Sequence, residues 1–79
     1  MTMEAKRQSE QVSGIPNVTY DLMAVLTNKL EGIAAMEEYK LDARESGDQE
    51  AAGIFEQLEQ RAREDVQKLK TLLARRLAA

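Results

Sequence analysis

The side chains able to do chemistry in this chain are carboxylates, amines and a few hydroxyls, because the sequence contains no histidine and no cysteine. That removes the commonest transition-metal ligand, the commonest general base and every thiol route. A Ser-His-Asp triad, a zinc ribbon and a disulfide scaffold cannot be built, and no glycine-rich phosphate-binding motif is present. What remains is oxygen chemistry. Glu37 and Glu59 are the pair to watch. In an antiparallel hairpin turning near Gly47, residues whose numbers add to about 95 share a level, and these two nearly do. A two-fold dimer would gather four such carboxylates, enough oxygen ligands for a hard cation such as Fe or Mn. The plainer reading makes them rim carboxylates neutralised by Lys40 and Arg44.

Other candidates reduce to structure. Lys29 and Asp65 also share a level, so an interhelical ion pair is expected. Tyr39 falls outside the apolar arc of its helix and reads as a surface or interface residue. The basic run from Lys68 to Arg76 suits the negative end of a helix dipole without any phosphate partner. Met23 and Met36 are packing residues rather than a cofactor box.

Two helices must carry these groups. The first is predicted over residues 17–46, with Asn17 or Thr19 as cap and Asp21 in its first turn. Its apolar positions, Val18, Leu22, Val25, Leu26, Leu30, Ile33, Met36 and Leu41, step by three and four. Ser46-Gly47-Asp48 interrupts the pattern; Gly47 suits a left-handed C-cap and Asp48 a following N-cap. The second helix is predicted over residues 49–77, with Ala51, Phe55, Leu58, Ala62, Val66, Leu69, Leu73 and Leu77 in the same rhythm. So short a connection folds the helices antiparallel. Residues 1–16 form a polar lead-in whose charges cancel, and residues 17–79 form the hairpin domain.

Each apolar arc is too wide for a single neighbour. On helical wheels, both stripes span roughly 160°. The expected architecture is therefore all-α: a hairpin that dimerises into a four-helix bundle, with larger closed oligomers allowed. Its core and dimer interface are expected to use Leu22, Val25, Leu26, Leu30, Ile33, Met36, Phe55, Leu58, Ala62, Val66, Leu69 and Leu73.

Tyr39-Lys40-Leu41-Asp42-Ala43, Gly47-Asp48-Gln49-Glu50-Ala51 and the Phe55-to-Leu73 pattern resemble the ferritin-like superfamily, in the style of the short two-helix encapsulated ferritins. The resemblance covers about residues 20–77 and implies subunits that pair to complete a bundle. The family's metal centre takes a Glu from the first helix and a Glu-x-x-His from the second. Alignment puts Leu30 at the first position and Ala62 and Asp65 at the second pair; shifting the alignment substitutes Gly32 for Leu30. The resemblance thus implies a ferritin-like fold with a degenerate metal centre and no resident cofactor.

The net charge of −3 argues against nucleic-acid binding, and no apolar run reaches the roughly 18 residues that span a bilayer. The expectation is a cytoplasmic, non-catalytic dimerisation or interaction module whose partner is itself. The alternative is a carboxylate-bridged Fe or Mn protein of iron storage or oxidative stress, using Glu37 and Glu59. A third reading is an anionic adaptor whose residues 1–16 order on a protein partner.

Overall fold

The chain reverses at Ser46-Gly47-Asp48, and the hydrogen bonds there explain why three residues suffice. Gly47 adopts φ +74°, where a side chain would be strained. Its N–H donates to the Arg44 carbonyl at 3.1 Å, and the Asp48 N–H donates to the Ala43 carbonyl at 2.8 Å. These two bonds form a Schellman cap, which satisfies carbonyls left over at the helix end. Asp48 then caps the next helix: its Oδ1 accepts from the Ala51 N–H at 2.9 Å.

The computed structural model describes residues 14–78. They form α1 (Asn17–Glu45) and α2 (Gln49–Ala78), packed against each other, with no strand among the described residues. Both helices match the predicted spans to within a residue. The polar lead-in 1–16, which the third reading has ordering on a partner, lies outside the described residues except for its last three.

The start of α1 differs from expectation. Pro16, at φ −54° and ψ 140°, takes the N-cap place with no side-chain cap bond, and its carbonyl accepts from the Tyr20 N–H at 3.0 Å. Proline fixes its own φ and leads straight into the helix, so Asn17 becomes the first helical residue and Thr19 is buried inside the first turn. Asp21 consequently lies just beyond that turn. In α2 Arg75 and Arg76 complement the dipole in the last turn as predicted, and Glu50 does the same in the first.

The buried residues trace a narrow seam. On α2 they are Ala52, Glu59, Val66 and Leu73, each seven residues after the last. Phe55, Ala62 and Leu69 fall between them and are half-buried. On α1 the matching line runs through Thr19, Leu22, Leu26, Lys29, Ile33, Met36, Lys40 and Ala43, all buried or half-buried. Steps of three and four sustained over several turns are the coiled-coil repeat, in which each helix offers one edge to its neighbour. Tyr39 against Phe55 and Lys29 against Asp65 fix the level of the two helices relative to each other.

The seam does not use the whole apolar stripe. Val25 is 44% exposed, Leu30 50% and Leu58 44%, although all three were expected in the core or dimer interface. Val18, Tyr39 and Leu41 are exposed as well. The physical reason is geometric: two helices alone cover only the line of contact, and residues one step to either side stay wet. The molecule measures 14 Å in its thinnest direction, about one helix deep.

Candidate functional site

A cluster of five charges occupies the turn-proximal half of the seam. Lys40 takes a seam position on α1 and is only 6% exposed. Its Nζ lies 3.0 Å from Glu56 Oε2, 3.3 Å from Glu37 Oε1 and 3.2 Å from Glu59 Oε1. Glu59, 4% exposed, sits between Ala52 and Val66 on the buried line of α2. Arg63, one turn further along α2, donates from Nε to Glu59 Oε2 at 3.3 Å and approaches Glu37 Oε1 with Nη2 at 3.5 Å. Three carboxylates therefore share two cations.

Placement follows from the helical repeat. Glu37 and Glu56 stand at the flank of the seam, half-exposed, and lean over Lys40. Glu59 Oε1 is close to the ammonium but off its bonding direction, so it is buried without a hydrogen-bond donor. Donation to Glu56 raises the Lys40 pKa above its ordinary value; burial opposes this, and bonds to Glu59 and Glu37 reinforce it. Burial pushes Glu59 upward, but hydrogen bonds donated by Lys40 and Arg63 outweigh it and hold the carboxyl below its ordinary range. Both groups are thus kept charged at neutral pH, which suits a structural ion cluster rather than a proton donor or acceptor.

No family model, curated protein or solved structure matches the chain.

Sequence spacing brought Glu37 and Glu59 together correctly, since both meet Lys40 and Arg63. Their burial differs, however: Glu59, read as a rim carboxylate, is buried, and Glu37 is half-exposed. Arg63 supplies the second cation, in the place assigned to Arg44, because it lies one turn beyond Glu59 on the same side of the hairpin. The burial of Lys40 was missed. Its signal is the seven-residue spacing: Ile33 and Lys40 repeat on α1 as Ala52, Glu59 and Val66 do on α2.

Lys40 Nζ stands among the three carboxylates, where a bridging cation would have to go. Among the described residues, no group of three or more His, Cys, Asp or Glu has metal-holding geometry. The positions that the ferritin-like alignment assigns to ligands are also scattered: Leu30 is exposed on a flank, Ala62 lies in the seam, and Asp65 pairs with Lys29 at 3.3 Å. That last ion pair is the one expected from the register.

Two grooves follow the hairpin on opposite flanks. One, of about 310 Å³, runs past Leu30, Ile33, Arg63, Glu64 and Val66 on the side of the charge cluster. The other, of about 400 Å³, runs past Val25, Lys29, Gly32, Met36, Leu58 and Ala62. A shallow extension towards the turn adds Tyr39, Ala51 and Phe55. Tyr39 and Phe55 stack at 5.9 Å in a tilted arrangement. No helix among the described residues is long and apolar enough to cross a membrane.

Proposed function

We propose that this chain is a small non-catalytic self-association module, a helical hairpin that pairs with a second copy to form a four-helix bundle of ferritin-like type with a degenerate metal centre. One observation carries the reading: the hairpin is a single helical layer that leaves Val25 and Leu58, which line the same groove, about half exposed. Stable domains bury their apolar faces between layers, and this chain supplies one layer. The ions of the Lys40 cluster support a structural role, since both cations are engaged by carboxylates instead of presenting a reactive group.

The alternative, an Fe or Mn protein built on Glu37 and Glu59, competes with Lys40 and Arg63 for the same carboxylate oxygens. Sedimentation equilibrium at micromolar concentration tests the main proposal. A dimer is the expected result, and a folded, self-sufficient monomer overturns it.

A further inference from the structure

The hairpin has two flanks, and they differ in what a second copy would have to dehydrate. On one, Glu37, Glu56 and Arg63 stand half-exposed around Lys40. Covering them strips water from charges that are only partly paired. On the other, Val25, Gly32, Tyr39 and Leu58 follow one another along the groove, and Lys29–Asp65 is the ion pair recorded there. Heptad spacing reaches Val18 from Val25, and Leu72 from Leu58 with the paired Asp65 between them. A Cβ added at Gly32 would meet nothing within 4 Å in its own chain. Glycine weakens a helix interior, and here no intrachain contact requires it; a helix from outside could approach closely at that point.

Charge also segregates along the long axis. At the turn end, Glu38, Asp42, Glu45, Asp48, Glu50 and Glu56 outnumber Lys40 and Arg44. At the open end, Lys68, Lys70, Arg75 and Arg76 face a single described acid, Asp21, while Lys29 and Asp65 in the middle of the hairpin offset each other. Two copies laid with their turns together would oppose like charges at both ends. Reversed, they place opposite charges against each other.

We infer that the second copy covers the Val25–Leu58 flank and runs head to tail, with the acidic turn end of each hairpin on the basic open end of the other. This rests on the self-pairing proposed above. The two-fold axis then passes near Gly32, with the Lys29–Asp65 ion pair of each copy on either side of it. Tyr39 near the turn lies over the aliphatic stretch around Val25, so aromatic bulk at one end meets smaller side chains at the other.

Because the chain has no cysteine, Gln49→Cys gives a single spin-label site at the exposed turn end. Electron–electron distance measurement on the full-length dimer should place the two labels roughly 40 Å or more apart, the span of an entire helix. A separation of about two helix diameters, near 20–25 Å, overturns the orientation while leaving the dimer itself standing. A monomer in sedimentation overturns the parent proposal and this inference with it. The flank is tested separately by Leu58→Glu and Leu30→Glu, which change residues of similar exposure on opposite sides. The first should weaken dimerisation at least tenfold and the second should leave it within about threefold. Equal or reversed effects, with helicity followed by circular dichroism, overturn the choice of flank.

Discussion

Replacing Leu58 by alanine separates an isolated hairpin from a paired one by its energetics. In the hairpin alone Leu58 is 44% exposed. Complete burial of a leucine side chain is worth about 1.5–3 kcal/mol, so a little over half of that, about 1–1.5 kcal/mol, is at stake within one chain. Under a second copy the same side chain becomes core, where Leu→Ala costs about 2–5 kcal/mol including the cavity left behind. For a domain of this size each kcal/mol moves Tm by about 4–8 °C, so pairing, which adds about 1 kcal/mol at the low end of these ranges, should deepen the loss by about 4–8 °C or more. Leu30→Ala is the matched control, being 50% exposed on the charged flank. The assay is thermal unfolding by circular dichroism over a hundredfold range of concentration. The wild-type Tm should rise with concentration, as mass action requires of a dimer. Equal losses for the two variants, with a Tm independent of concentration, would refute the reasoning.

The charge cluster makes its own predictions. Glu59 is held below its ordinary value of 4.5, so the stability it contributes is fully present above that pH and is lost as pH falls through the lower folded value. Lys40 is raised above 10.5, so its contribution is present below that pH and disappears as pH rises through the higher folded value. Urea midpoints measured from pH 2 to 12 should give a plateau with losses on both sides, and a maximum confined to one extreme contradicts the assigned shifts. Lys40→Ala should destabilise more than Lys40→Met combined with Glu59→Leu, because the single change strands a buried carboxylate whereas the pair replaces ions by packing; the comparison needs only denaturant midpoints. Gly47→Ala should cost on the order of 1 kcal/mol through its left-handed φ, readable as a Tm shift with unchanged helicity.

Local chemistry made much of this fold legible in the sequence. Gly47 and Asp48 have few alternatives at a helix reversal, and the level of Lys29 with Asp65 follows from the turn position once the helices are antiparallel. The start of α1 was less legible, because Pro16 can begin a helix without the side-chain cap offered by Asn17 or Thr19. The core was legible only as a broad stripe. A wheel averages over every apolar residue, so Val25 and Leu30 carried the same weight as Leu22 and Leu26, and the lysine at 40 was treated as rim. Which edge of the stripe meets the second helix depends on the seam repeat, and that repeat includes Lys29, Lys40 and Glu59, which hydrophobicity discards.

The ions along the seam act as a vernier for alignment. Sliding α1 by one heptad would carry Lys40 some 10 Å along α2 and leave Glu59 facing an aliphatic neighbour, with neither ion matched. Apolar layers tolerate such slippage, since one aliphatic contact replaces another. The correct alignment is therefore written into the helices as well as into the loop that joins them, and α1 and α2 supplied as separate peptides should still dock in a single antiparallel setting.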